Sequence, residues 1–504
     1  MICSVGLEGM RGYIVNVEAD VRLDKEQCVI VGLPDASMKE SKERILSNLH
    51  LLDLDLTLKK ITIHLSPSDK RKIGVGYDCA MLLAVLNKML ENPLPINEQT
   101  CVLGSLSLQG EIVAFHGLMP SLQQALQLGF KRIFIPPIDT SFLQLNDDIE
   151  IVALKNVEQM FDYLNGQLSL AMTRLTVVKE LIPESNFDMT TDFNSIIGHE
   201  TAKRALEIAA AGGHHVLLSG PPGCGKSMLA DAFHTIFPDI IHEQMLEVYS
   251  IYHLAKEDAS FSQRPSYRAP HHSSSATSLI GGGTYPKPGE ISLAHRGVLF
   301  LDELGEFPRK ALDMLRQPLE RGEVTISRVR QTVTYPAAFT LIAATNPCPC
   351  GYFGSNERYC TCSPQQVKAY QQKVSGPLLD RINFFLQLKS VGMRSGISGE
   401  SSVVIRQRTA QAREMQQNRY GPHFLNGNAP SHLLVEACAL TSVQKQYVHE
   451  VCYANKWSNR TQLKILRIAR TIADLQQQEE LQEAHLEEAV SWKQDALVEG
   501  SVHG

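Results

Sequence analysis

Lys226 and Ser227 close the stretch His214-His-Val-Leu-Leu-Ser-Gly-Pro-Pro-Gly-Cys-Gly-Lys-Ser227, an apolar run that breaks into a glycine-rich loop before the helix-forming Met228-Leu-Ala-Asp-Ala-Phe. Gly220, Pro221, Pro222, Gly223, Cys224 and Gly225 match the P-loop pattern together with Lys226 and Ser227. Backbone N–H groups of such a loop wrap a polyphosphate, and the following helix aims its positive end at the same anion. Lys226 then reaches the outer phosphates and Ser227 ligates Mg²⁺, so ATP and Mg²⁺ are the implied cofactors. The bland alternative is a glycine-rich turn followed by a chance Lys-Ser. Two further strands decide against it. Gly297-Val-Leu-Phe-Leu-Asp-Glu-Leu304 is an apolar run ending in adjacent carboxylates, which a buried strand does not carry unless something cationic or polar meets them. Asp302 is placed to hold Mg²⁺ through its water shell, and Glu303 to polarise the attacking water. Phe339-Thr-Leu-Ile-Ala-Ala-Thr-Asn346 ends on Asn346, a neutral side chain able to orient that water. Three strands delivering polar residues at one end are what a parallel α/β sheet provides.

Other residue clusters carry weaker signals. Cys348-Pro-Cys350 and Cys360-Thr-Cys362 supply four thiols, a donor set that suits a closed tetrahedral Zn²⁺ site; reduced cysteines in a loop beside Asn346 are the competing reading. His271 and His272 are adjacent, which on a strand sends them to opposite faces, and no Cys or carboxylate stands at ligand spacing. Hydrogen bonding within or between subunits is expected of them instead of metal binding. Between the P-loop helix and the Asp302-Glu303 strand lies an insertion of about 60 residues, with a Gly281–Gly283 run and a Pro-Lys-Pro tip that predict an exposed, mobile loop ending in Lys287. Glu323-Val-Thr-Ile-Ser-Arg-Val-Arg-Gln-Thr-Val-Thr-Tyr-Pro336 alternates β-branched and polar residues about a basic centre, which predicts a hairpin with Arg328 and Arg330 near its tip.

The elements that must position these groups can be read more coarsely. The chain has 504 residues and a formal net charge of −6, room for about three domains, with no global basic signature; a nucleic-acid contact would need a local patch. No apolar run approaches the roughly 20 residues of a membrane span, and no signal-peptide pattern opens the chain, so a cytoplasmic protein with no membrane partner is expected. Of 11 cysteines, seven are scattered, which in a chain of this size points to reduced thiols. Residues 1–166 alternate short strands (Tyr13-Ile-Val-Asn-Val-Glu, Cys28-Val-Ile-Val-Gly, Lys60-Ile-Thr-Ile-His-Leu, Ile112-Val-Ala-Phe, Arg132-Ile-Phe-Ile-Pro) with two helices, near Asp78–Asn87 and Pro120–Leu128. Residues 167–192 read as a linker, 193–395 as the α/β core, and 396–504 as a helical domain with segments near Val403–Tyr420, His432–Leu440, Ser442–Asn455 and Arg460–Gln477. A helix is also expected over Arg309–Gly322.

With Arg268-Ala-Pro-His-His272, Pro288-Gly-Glu-Ile-Ser-Leu-Ala-His295, Asn346-Pro-Cys-Pro-Cys-Gly351 and Ser375-Gly-Pro-Leu-Leu-Asp-Arg381 added, the chain resembles the Mg-chelatase-like AAA+ ATPases, and within them the ComM (YifB) family of DNA helicases of natural transformation, along nearly its whole length. The resemblance implies a multidomain α/β fold: a Lon-protease-like (ribosomal S5 domain 2-like) α+β domain, an AAA+ core with a helix-2 insert and a pre-sensor-1 hairpin, and a C-terminal helical lid. The strings Ser105-Leu-Ser-Leu-Gln-Gly and Gly129-Phe-Lys-Arg-Ile-Phe-Ile-Pro-Pro carry the Lon likeness, yet Gly74-Val75-Gly76 and His116-Gly117-Leu118-Met119 stand where active proteases have the Ser and Lys of their dyad, so proteolysis is not expected. By resemblance Arg381 is an arginine finger inserted into a neighbouring subunit, and Arg460, with Arg467 as fallback, is sensor 2. Lys287, Arg328 and Arg330 would line the pore of a homo-oligomeric ring, a hexamer, and track the phosphates of single-stranded or branched DNA. The implied activity is ATP-driven branch migration during integration of transforming DNA, with recombination proteins docking on residues 1–166. A chelatase motor subunit and a nucleotide-switched scaffold are the rivals; intact Lys226, Asp302, Glu303 and Arg381 weigh against the second.

Overall fold

The computed structural model describes residues 1–504 apart from 36, 139, 141–142, 144–147, 168–191, 258–260, 284–285, 329–330, 356–357, 391–398 and 501–504, with 494–500 described in backbone only. It divides into two compact units, Met1–Pro183 with Tyr249–Phe261, and Glu184–Val248 with Ser262–Gly504. The linker expected at 167–192 lies, apart from its two end residues, outside the described residues.

The first unit is built on a seven-stranded mixed sheet in the order Gln27–Val31, Lys59–Ser66, Arg11–Leu23, Ile2–Glu8, Thr100–Val102, Arg132–Ile135, Glu150–Ala153. Alternation along Lys59–Ser66 buries Ile61, Ile63 and Leu65 on one face, as a half-covered strand requires. Two helices were expected here and the described residues hold four: Met38–Leu51, Asp78–Met89, Leu118–Gln127 and Val157–Leu164. The first escapes a periodicity search because its buried apolar face is only Met38, Ile45 and Leu49 among many charges. Ile112–Val113 pairs as a two-residue ribbon with Ser105–Leu106 instead of joining the main sheet. At the positions expected to correspond to a protease dyad, a Cβ on Gly76 would lie 2.5 Å from the ring of Phe115, and Met119 is buried.

The second unit carries a five-stranded, wholly parallel sheet in the order Tyr267–Arg268, Val298–Leu301, Thr340–Thr345, Val216–Ser219, Phe384–Gln387. All four residues of Val298–Leu301 are buried, the pattern of a strand covered on both faces by helices. The helix expected over Arg309–Gly322 is two, Arg309–Met314 and Arg316–Arg321: Pro318 has no N–H for a bond back to Met314, so the chain starts a new helix instead. The insertion is not a plain loop. Its described residues include the helices His242–Ala255, Ala276–Ile280 and Glu290–Leu293, and a small ribbon pairing Gly281–Gly282 with Lys287–Pro288.

Among the described residues, five helices follow the parallel sheet: Ser402–Tyr420, Ser431–Cys438, Ser442–Ala454, Asn459–Leu475 and Glu483–Gly500. Asn459–Leu475 buries Ile465, Leu466, Ile468, Ala469 and Ile472 at helical spacing, and Ser458 caps it by accepting the N–H of Thr461. Its Arg470 is fully buried against Asp474, which also takes two hydrogen bonds from Arg419, at 3.0 and 2.7 Å. No helix among the described residues is long and apolar enough to cross a membrane.

Candidate nucleotide site and the groups around it

The parallel strands deliver their last residues to one place. From Ser219 the chain turns through the P-loop into the helix Lys226–Thr235, with Gly225 at φ 91°, a conformation that glycine adopts without Cβ strain. The Lys226 ammonium donates to the carbonyls of Gly220 (2.8 Å) and Pro221 (2.9 Å) and to Asn346 Oδ1 (3.1 Å). Partial burial lowers the Lys226 pKa, while Cys224, Asp302 and Glu303 oppose that shift. Ser227 Oγ donates to Asp302 Oδ2 at 3.2 Å. Two oxygens about 2.9 Å apart form the edge of a Mg²⁺ octahedron with ~2.1 Å bonds, so this pair fits the ion. Asp302 is further fixed by accepting the Glu303 N–H at 2.8 Å. Glu303 sits in the left-handed region at φ 49°, ψ 50°, a conformation rare for a non-glycine residue and enriched at functional sites. The expected P-loop, acid pair and Asn346 therefore converge at the carboxyl end of the sheet.

The Glu303 carboxylate has a partner that sequence did not reveal. His272 Nδ1 lies 3.0 Å from Glu303 Oε2. The strand preceding the histidine pair stops at Arg268, two residues before Pro270, and His272 is in a turn. The expectation of opposite-facing side chains is thus corrected: the rings of His271 and His272 lie 4.1 Å apart between centroids. His199, at the start of Glu200–Gly212, is a second missed neighbour; burial lowers its pKa, and its hydrogen bond with the Cys224 backbone opposes that.

Cys348, Cys350, Cys360 and Cys362 bring their sulfurs within 4.8 Å of one another. Cys348 Sγ is 3.3 Å from Cys350 Sγ and 3.7 Å from Cys360 Sγ, and Cys350 to Cys360 measures 3.5 Å. A ZnS₄ tetrahedron with ~2.3 Å bonds has edges of about 3.8 Å, so the donor set fits Zn²⁺. The N–H of Tyr352 pulls the Cys350 thiol down to about 6, and the N–H of Phe353 points at Cys348 Sγ from 3.3 Å. This cluster touches the nucleotide loop: a Cβ on Gly351 would lie 2.6 Å from Cδ of Pro222, so only glycine permits the approach. Elemental analysis of protein purified without chelator is expected to find about one zinc per chain, and Cys348→Ser with Cys360→Ser to lose it. Zinc-free wild type would refute the site.

Two of the residues expected to meet DNA, Lys287 and Arg328, are exposed on two hairpins that touch. Glu323–Arg328 pairs with Gln331–Pro336, as its alternation predicted, and Arg328 and Lys287 are both exposed. Tyr335 Oη donates to the Pro286 carbonyl at 2.6 Å, and a Cβ on Gly282 would lie 3.0 Å from Arg328 Nη2. Arg330 lies outside the described residues.

Arg381 and Arg460 are not beside the P-loop. The N–H groups of Asn383 and Phe384 bond the carbonyl of His215, which precedes Val216–Ser219, so Arg381 stands at the amino end of the sheet. It pairs with Glu320, whose carboxyl it holds below the ordinary range, and Arg460 pairs with Asp380 at 2.6 Å. Both arginines line a cavity of about 650 Å³ there. Arg467, the alternative to Arg460, is committed to the carbonyls of Asn426 (2.8 Å) and Ala429 (2.7 Å).

Residues 192–395 match the family "Magnesium chelatase, subunit ChlI", residues 17–139 "Subunit ChlI of Mg-chelatase" and residues 399–493 its C-terminal model. An archaeal Lon protease of Methanocaldococcus jannaschii is 30% identical over 108 residues, 21% of this chain and 16% of that protein. The competence protein ComM of Haemophilus influenzae is 36% identical over 493 residues, 96% of this chain and 95% of its own. YifB of Escherichia coli is 36% identical over 495 residues, with the same coverage of 96% and 95%. Likeness of that extent, across both compact units and through the P-loop, acid pair and cysteine cluster, places the chain in the ComM/YifB family of Mg-chelatase-like proteins.

Proposed function

We propose that the protein is an ATP-driven ring motor that moves along DNA and drives branch migration while transforming DNA is integrated by homologous recombination. The observation that carries the ATPase half is the convergence of Lys226, Ser227, Asp302, Glu303 and Asn346 at the carboxyl ends of adjacent parallel strands. Lys226 and the P-loop residues Gly220 to Gly225 bind the phosphates, Ser227 and Asp302 hold Mg²⁺, Glu303 takes the proton of the attacking water, and Asn346 orients it. The ion, when bound, neutralises charge on the phosphates. Arg381 and Arg460 serve the nucleotide of a neighbouring subunit, which requires a closed ring, a hexamer in this reading.

The likeness to a competence protein supports a role with DNA, and the joined hairpins supply the contact surface. Lys287, Arg328 and Arg330 repeat around the pore and give an acidic chain a basic track that meets phosphates instead of base edges. Residues 1–166 take a Lon-type fold in this reading, with Phe115 filling the space beside Gly76 and Met119 in place of a base; docking of recombination proteins is the role left to them. Cytoplasmic location goes with this function. Stimulation of ATPase by single-stranded and branched DNA, with movement of a synthetic four-way junction, tests the whole proposal. A chelatase motor would show neither, and a scaffold would not turn over ATP.

Lys287→Ala with Arg328→Ala is expected to raise the Kd for single-stranded DNA by at least roughly tenfold at about 0.1 M salt, and to flatten its dependence on salt. Unchanged affinity and slope would place DNA elsewhere.

A further inference from the structure

The cavity of about 650 Å³ at the amino end of the parallel sheet is walled partly by the core and partly by the helices after residue 401. Arginines and lysines outnumber acids along it, and most of these charges are matched. Arg381 has Glu320, Arg460 and Lys464 share Asp380, and Arg296 has Glu247. Of the remaining acids, Asp239 pairs with Arg264 and Glu414 is exposed. Two arginines stand apart. Arg413, on the helix Ser402–Tyr420, is buried; it donates from Nε and Nη2 to the one carbonyl of Ala210, at 3.0 and 2.6 Å, and its guanidinium lies 4.0 Å over the ring of Phe237. Arg467, on Asn459–Leu475, donates from Nη1 and Nη2 to the carbonyls of Asn426 and Ala429. Among the described residues neither has a carboxylate partner.

A guanidinium taken out of water without a counter-charge is strongly unfavourable, and carbonyl acceptors only partly offset that. Burial pushes the Arg413 pKa down to about 9, with the charge of Arg296 adding to the fall, and burial lowers that of Arg467 as well. Both still carry their charge at neutral pH. Each also keeps N–H groups that these carbonyls do not use, Nη1 on Arg413 and Nε on Arg467. We propose that Arg413 and Arg467 form a binding site for a small phosphate monoester that joins the terminal helices to the core. Two uncompensated cations call for a charge near −2, which a phosphate monoester supplies and a single carboxylate does not. Phe339, Leu425 and Leu463 give the same cavity an apolar wall for the esterified body, and its volume is that of a small-molecule site and well beyond what a bare ion fills. Arg413 already reaches from its own helix to Ala210 in Glu200–Gly212, so an anion held there ties the two together. Neither ATP hydrolysis nor DNA enters this inference, which stands apart from the motor reading.

The test titrates inorganic phosphate, and then glycerol phosphate, into the full chain carrying Lys226→Ala, which takes the P-loop ammonium out of the comparison. Saturable binding at millimolar concentrations or below is expected by calorimetry, together with a rise in Tm as either anion is added. Arg413→Gln still offers an amide to the Ala210 carbonyl but has no charge; added to Lys226→Ala, it should raise the Kd at least roughly tenfold and abolish the rise in Tm. Arg467→Gln should do the same, and it carries the test if Arg413→Gln does not fold. Glycerol phosphate is expected to bind at least as tightly as the free ion. Absence of saturable binding, or a Kd unchanged in either folded variant, overturns the proposal. Loss of binding in Arg381→Ala with full retention in Arg413→Gln overturns it too, by assigning the anion to the groups that serve a neighbour's nucleotide. Weaker binding of glycerol phosphate than of phosphate would refute a site for the monoester.

Discussion

Glu303→Gln is expected to keep ATP bound and stop its hydrolysis, whereas Lys226→Ala should fail to retain ATP. The difference follows from what each side chain touches. Lys226 bridges the carbonyls of Gly220 and Pro221 to Asn346, so it both fastens the loop and brings a positive charge to the phosphates. Removing it leaves three acceptors without their donor and costs at least one charge-assisted hydrogen bond to the ligand, so the Kd for ATP should rise by roughly 30-fold or more. Among the described residues, Ser227 bonds Asp302, whereas the Glu303 carboxylate pairs with His272 and has no hydrogen bond to the phosphate-binding groups. Its amide replacement conserves shape and removes the proposed base, for an expected loss of about 10²- to 10⁴-fold in turnover. Equilibrium binding of ATP beside a turnover assay separates the two variants. Equal turnover in wild type and Glu303→Gln would remove Glu303 from the chemistry.

What could be read from sequence was local. A P-loop dictates its own strand, turn and helix, and the runs ending at Asp302 and Asn346 announce their burial by composition, so the nucleotide end was legible residue by residue. The hairpin at 323–336 was legible for the same reason, since its alternation has period two. The helix Met38–Leu51 was hidden because tertiary packing selects three apolar positions from a highly charged stretch. His272 was hidden by a wrong premise: Pro270 follows a strand of only two residues, and a turn places both histidines on one side. A signal existed nonetheless. Tyr267–Arg268 is the parallel neighbour of Val298–Leu301, so the residues that leave those two strands must emerge together. The contact of the Cys348–Cys362 loop with Pro222, and of Lys287's ribbon with the Arg328 hairpin, joins segments whose approach depends on the whole sheet, and no spacing rule encodes it.

Arg381→Ala chains are expected to be inactive by themselves and to recover turnover when mixed with equally inactive Lys226→Ala chains. Strand polarity provides the reason. Arg381 precedes Phe384–Gln387, whose first N–H groups bond the carbonyl of His215, while the P-loop leaves from the other end of Val216–Ser219. Four residues of strand separate the two ends by about 13 Å, and the guanidinium points towards Glu320 and the carbonyl of Pro377 instead of along the sheet. It therefore has no route to the phosphates held by its own Lys226. In the proposed ring a neighbour presents its P-loop to a different face from the one it offers onward, so each nucleotide would be completed by the next subunit's arginine, and truncating that group should cost about 10³-fold or more in turnover. The Glu320 pair then has to open as the subunits engage, and Arg460 and Asp380 stand beside it as the groups that receive the change. In a mixed ring, a Lys226→Ala subunit lends its intact Arg381 to an Arg381→Ala subunit whose P-loop is whole. At equal proportions about a quarter of the interfaces combine both sound halves, and turnover should return to that share of wild type. A mixture as inactive as its components, or Arg381→Ala chains that hydrolyse ATP at the wild-type rate, would show that the arginine at the far end of the sheet has only a structural role.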